Sequence, residues 1–208
     1  MPLEHEIGRF ENIGDNCEFG FVKRHLGNED GGLLRWASTP PHALIAALKD
    51  RFQSLYRFEN LTPAWDNMLT DTAYGIGFHT HMKSRDKQWV HDGVERERLH
   101  REELEKIHYL VGKFLKRIAD PRTICVYKTN AGLTVQQEEG ILTALRALGP
   151  ASLLVVRTTD QPAQVGTITQ ANGYLIGHID RFADYAQADQ ISDAWFTLVR
   201  STLQHLRT

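Results

Sequence analysis

Cys17 lies in Gly14-Asp15-Asn16-Cys17-Glu18-Phe19-Gly20, where a strand-like run ending in Phe10, Glu11, Asn12 and Ile13 gives way to Phe19, Val22 and Leu26 at helical spacing. Asp15 and Glu18 occupy the positions of an N-cap and its capping-box partner, which predicts Cys17 in the first helical turn. Unpaired amides and the positive end of the helix dipole favour a nucleophilic thiolate there. The two carboxylates oppose that ionisation, so chemistry at Cys17 requires a base. Without one, a cysteine on a helix is ordinarily a small core residue.

Two histidines compete to be that base. His79 ends a strand candidate after Gly75-Ile76-Gly77-Phe78, and His178 lies in a later strand beside Asp180. Cys17, His79 and Asp180 each follow or end a candidate strand, which is where open α/β sheets place their ligands. His79-Thr80-His81 with His91 and Asp92 offers a faint metal-binding pattern, but no spacing of the H-E-x-x-H kind supports it, and no metal or other cofactor is expected. Glycine-rich phosphate loops and dinucleotide fingerprints are missing.

The elements that must carry these residues alternate. Leu33-Leu34-Arg35-Trp36 reads as a short strand, and Thr39-Pro40-Pro41 starts a helix with Leu44, Ile45, Leu48 and Phe52 on one face. Residues 59–72 read as a surface connection, and Ala73 to His79 as a strand. A long amphipathic helix is predicted from about Arg101 to Ile118, followed by a buried strand around Thr123-Ile124-Cys125-Val126-Tyr127. Thr134 and Gln137 open the next helix, and Ser152 to Val156 is again a continuous apolar strand. Val165 to Thr169 and Tyr174 to Ile179 flank Asn172-Gly173, a hairpin signal, and a last helix carries Ala194, Trp195, Leu198, Val199 and Leu206.

This order predicts a single α/β domain over residues 1–208: a three-layer sandwich with a mainly parallel sheet, the Ile124 and Val155 strands central, and an antiparallel hairpin at one edge. The two cysteines form no CxxC pair, and Cys125 belongs to a strand core. With 24 basic and 26 acidic residues there is no global field to collect nucleic acid or anionic lipid. Lys83, Arg85, Lys87, Arg96, Arg98 and Arg101 are interleaved with acids and read as a solvated loop. No long apolar run or signal-like segment occurs, so the expectation is a cytoplasmic protein that does not span a membrane.

Ile13-Gly14-Asp15-Asn16-Cys17, Leu33-Leu34-Arg35-Trp36-Ala37-Ser38-Thr39-Pro40 and Phe78-His79 together resemble bacterial domains of unknown function labelled papain-like cysteine peptidases, similar members of which occur beside polysaccharide-synthesis proteins. The resemblance implies Cys17 as nucleophile, His79 as base and Asp180 as the orienting group. A fainter similarity to SGNH-type hydrolases, with cysteine in the serine position of their Gly-Asp-Ser block, agrees with the alternating architecture. Two functions follow as expectations. One is a cysteine-dependent hydrolase or acyl transferase; the other is a non-catalytic domain binding a glycan or other small polar ligand through Asp15, Asn16, Arg35, Trp36, His79 and His178.

Overall fold

The computed structural model describes residues 3–207. A one-turn helix, α1 (Leu3–Glu6), precedes β1 (Phe10–Asn12), α2 (Glu18–His25) and α3 (Pro41–Lys49). Five short strands follow, β2 (Leu61–Pro63), β3 (Met68–Asp71), β4 (Ile76–His79), β5 (Ser84–Arg85) and β6 (Gln88–Trp89), and then the 26-residue α4 (Gly93–Ile118). The remainder is β7 (Ile124–Tyr127), α5 (Val135–Arg146), β8 (Ser152–Thr158), β9 (Ile168–Ala171), β10 (Tyr174–Ile179) and α6 (Ala194–His205).

The main sheet has the order β1-β7-β8-β10-β9; its first four strands are parallel and β9 is antiparallel to β10. Successive strand residues point to opposite faces, and the cores divide accordingly. Cys125, Tyr127, Leu153, Val155 and Ile176 pack with α3, α4 and α5, whereas Ile124, Val126, Leu154, Val156 and Leu175 pack with α2 and α6. That two-sided burial is why β7 and β8 are continuous apolar runs, and it makes the α/β arrangement three layers deep. Pro41 at the first position of α3 and the reciprocal Thr134–Gln137 capping box of α5 form as the sequence predicts. Asn172 and Gly173 take positive φ of 50° and 85°, the geometry a two-residue hairpin needs to match strand twist.

Four local expectations are overturned. Leu33 to Trp36 is not a strand: Arg35 N donates to Gly32 O and Ala37 N to Leu34 O, both at 3.3 Å, which are turn bonds. The turn lets the buried Arg35 guanidinium reach the carbonyls of Asp30, Gly20 and Asn28, a convergence that an extended segment would not permit. Residues 59–72 are not a plain connection but contain β2 and β3, which form an antiparallel sheet with β4; Pro63 is accommodated because β2 is an edge. The basic segment is likewise not a loop but the β5–β6 hairpin and the start of α4. That helix begins at Gly93, eight residues before the predicted start at Arg101, because Asp92 caps Glu95 N and Arg98 bridges Glu95 and Glu102. These polar devices leave no apolar period to read.

The small β2–β3–β4 sheet joins the α3–α4 side of the core through Leu61, Leu69, Ile76 and Phe78, and Ser38 and Gly77 exchange backbone hydrogen bonds that tie it to the segment after Trp36. Among the described residues no helix is long and apolar enough to cross a membrane.

One buried charge gives the fold a pH signature. Lys23 is 2 % exposed and donates to Phe10 O at 2.7 Å. Burial pushes its pKa down to about 8 against the attraction of Glu11, and Arg117 and Arg35 push the same way as burial. Between about 8 and the ordinary 10.5 the unfolded chain holds a proton on Lys23 that the folded chain has released, so this group's contribution to stability rises with pH across that window. Urea unfolding of wild type and Lys23→Met should therefore show the stability difference moving in favour of wild type by on the order of 3 kcal/mol over the window. The raised thiol and phenol groups titrate in both proteins and cancel; a pH-independent difference would contradict the assignment.

Candidate functional site

The carboxyl ends of β1 and β7 lie side by side, and the chain leaves each in a short turn. Ile13 N and Asp15 N donate to Val126 O and Lys128 O, both at 3.0 Å, which locks the Gly14–Cys17 turn onto the end of β7. A Cβ on Gly14 would lie 3.0 Å from Lys128 O, so the glycine permits this approach. Asn12 Nδ2 donates to the carbonyls of Asn16, Leu34 and Arg35, each at 3.2 Å, joining the turn to the segment that carries Trp36.

The expected capping of α2 is corrected. Cys17, not Asp15, is the N-cap, and Asn16 Oδ1 accepts from Glu18 N at 3.0 Å. The Asn16 Nδ2 is buried without a hydrogen-bond partner. Asp15 Oδ2 instead accepts from Thr129 Oγ1 at 3.0 Å and Tyr185 Oη at 2.7 Å. Glu18 is fully buried: it meets Lys128 Nζ at 2.5 Å and accepts from Trp195 Nε1 at 2.7 Å. Lys128, itself 1 % exposed, also donates to Asn130 Oδ1 at 2.8 Å and sits 4.7 Å from the Phe182 ring centroid. The acid expected to repel a thiolate is thus neutralised inside the protein, and the nearby ammonium favours the thiolate.

Cys17 is half-buried, and burial raises its thiol pKa by more than Lys128 lowers it. Cys125 is fully buried and its pKa is raised further out of range, first by burial and then by Glu11. Both cysteines are free. Among the described residues Cys17 has no hydrogen bond to an imidazole. His79 leaves the sheet at the end of β4 on the face that Gly77 turns towards Ser38, with its pKa lowered by burial. His178 lies on β10 opposite Arg157 of β8, its Nδ1 buried without a partner and its pKa lowered by burial and by Arg157. Asp180 accepts a hydrogen bond from Ser192 Oγ and orients neither imidazole.

Trp36 and His79 are brought together. Both line a cleft of about 520 Å³ between the Gly31–Leu33 loop, β4 and α4. Leu33, Tyr56, Phe78, Ile107 and Leu110 give it an apolar floor, and Asn67, His79, His81, Glu102 and Lys106 give it a polar rim. Glu103 is spent on structure: it accepts from Tyr56 Oη at 2.8 Å, Thr80 Oγ1 at 2.9 Å and His81 N at 2.6 Å, which pins the rim. Glu102 is paired with Arg98. The side chains of His79 and Lys106 have no protein partner among the described residues. Trp36 is braced by the Phe21 edge at 5.0 Å and by the Arg24 and Arg35 guanidinium groups at 4.8 and 4.9 Å. Arg35 is therefore a structural staple; it does not line the cleft.

No group of three or more His, Cys, Asp or Glu among the described residues is placed to hold a metal ion. Lys106 and Lys128 carried no motif in the sequence. The one available signal for Lys128 was its place directly after a buried apolar run, where a strand delivers its next side chain to the ligand edge of the sheet. Comparison with protein-family models, curated proteins and solved structures finds no match.

Removing one member of a buried ion pair leaves an uncompensated charge, which costs about 3–5 kcal/mol. Lys128→Met should destabilise the protein by that amount in urea unfolding. Arg98→Ala, which breaks only exposed pairs on α4, should be nearly neutral.

Proposed function

We propose that this chain binds a small, sugar-like ligand in the cleft between β4 and α4. The carrying observation is a cavity of about 520 Å³ with an apolar floor, where the rim groups His79 and Lys106 lack protein partners among the described residues. Small-molecule sites combine mostly apolar walls with a few converging polar groups, and cavities of roughly 300–1,000 Å³ are their usual size. A pyranose offers the matching surfaces: C–H groups for Phe78, Leu110 and Ile107, and hydroxyls for His79, Asn67 and Lys106. The lowered pKa keeps His79 neutral at pH 7, able both to donate and to accept.

Titration with a panel of neutral mono- and disaccharides, followed by amide and imidazole NMR shifts, tests this reading. One or more should shift the resonances of β4 and the Glu102–Leu110 turns. His79→Ala should weaken that ligand about tenfold, about one hydrogen bond's worth. Affinity should stay level from pH 8 to the ordinary imidazole range and fall only below it. A panel that leaves the cleft resonances unmoved would refute the proposal.

The second reading is cysteine-dependent hydrolysis or acyl transfer, in which a Cys17 thiolate attacks an acyl carbon with His79 as base. What favours it is the half-exposed thiol at the start of α2 beside the Lys128 ammonium. What it lacks is a hydrogen-bonded base and an orienting role for Asp180. Iodoacetamide should modify Cys17 and spare Cys125 in the native protein, at a rate still rising above the ordinary thiol pKa of about 8.5. Under the ligand-binding proposal His79→Gln leaves this rate within about twofold; a tenfold fall would transfer the assignment to cysteine chemistry.

A further inference from the structure

A second cavity shares no lining residue with the cleft. About 390 Å³ in volume, it lies further along α4, where the end of that helix meets the segments leading into β1 and β7. Arg9, Lys113, Lys116, Arg117 and Arg122 line it with a single carboxylate, Asp120. In a chain whose formal charge is −2, this is a concentrated positive surface.

Cations near a helix C-terminus are expected, because they offset the dipole and the last free carbonyls. That accounts for one or two charges and not for five. Internal carboxylates account for three: Arg9 pairs with Glu6 at 3.0 Å, Arg117 with Glu11 at 2.7 Å and Arg122 with Asp120 at 2.8 Å. The positive charges of Lys113 and Lys116 remain. Lys113 donates to Gly31 O at 2.8 Å, and Lys116 has no partner among the described residues. Each guanidinium also keeps one terminal nitrogen outside these bonds: Nη2 of Arg9 and Nη1 of Arg117 and Arg122.

We infer that this cavity binds a compact dianion of the phosphate type, either inorganic phosphate or the phosphate of a small monoester. Two uncompensated lysines match its charge, and three guanidinium nitrogens that the ion pairs leave over match its oxygens. The carboxylates already present reduce the field, so the expected affinity is modest, with a Kd on the order of 1 mM.

Differential scanning calorimetry and isothermal titration on the intact chain test the site with inorganic phosphate, with a sugar phosphate monoester, and with chloride at matched ionic strength. At ten times the expected Kd, either phosphate should raise the Tm by about 3 °C beyond chloride. Tighter binding of the monoester assigns the site to a phosphorylated metabolite, and tighter binding of inorganic phosphate to the free ion. Lys113→Gln/Lys116→Gln changes one half-buried and one exposed side chain and should weaken binding at least fivefold, while the apo Tm falls by no more than the lost Lys113–Gly31 hydrogen bond accounts for. Equal stabilisation by chloride, or unchanged affinity in the double variant, would overturn the inference.

Discussion

The buried ion pair between Glu18 and Lys128 ties together the start of α2, the end of the central strand β7 and, through Trp195, the helix α6. Glu18 begins α2, Lys128 directly follows β7, and Trp195 of α6 donates to the same carboxylate. Phe182, in the segment after β10, covers the ammonium. Two charges in an apolar interior are costly to desolvate, and only close contact with further hydrogen bonds makes them tolerable. The backbone must therefore bring the turn after β1 and the end of β7 into register, and Gly14 permits the necessary approach. The position of Cys17, between Gly14 and Glu18, is fixed by the same turn.

The same pair decides the chemistry at the turn. An acid next to Cys17 in sequence would suppress a thiolate if it shared the solvent with it. Folded, Glu18 faces inward and its charge is answered, so burial of the thiol itself dominates. The nearby Asp15 is likewise engaged, by Thr129 and Tyr185. The polar residues of the turn are thus mostly occupied in holding the strand ends together.

Between β1 and β7 the chain makes a long excursion that builds the cleft. Glu103 organises its rim by accepting from three donors, and the Ser38–Gly77 bridge fixes the small sheet beside the Trp36 segment. His79 and Lys106 are left without a protein partner among the described residues, above an apolar floor.

The layer architecture was legible in the sequence because it rests on local signals: continuous apolar strands at Ile124 and Val155, the Thr134–Gln137 capping box, and Asn172-Gly173 between two strands. The first turns of α4 and the strands β2 and β3 of the small sheet were not legible, since charged caps, exposed side chains and an edge proline hold them and none of these leaves a period, whereas β4 falls inside the strand expected from Ala73 to His79. Cys17 and His79 could be picked out by residue type and by their places after or at the end of a strand, and Trp36 by residue type alone, since the strand expected there is a turn. Their partners could not. Lys128, Glu103 and Lys106 acquire meaning only from groups distant in sequence, and whether a charge is buried and answered or left free for a ligand is settled by packing between elements, which no stretch of sequence contains.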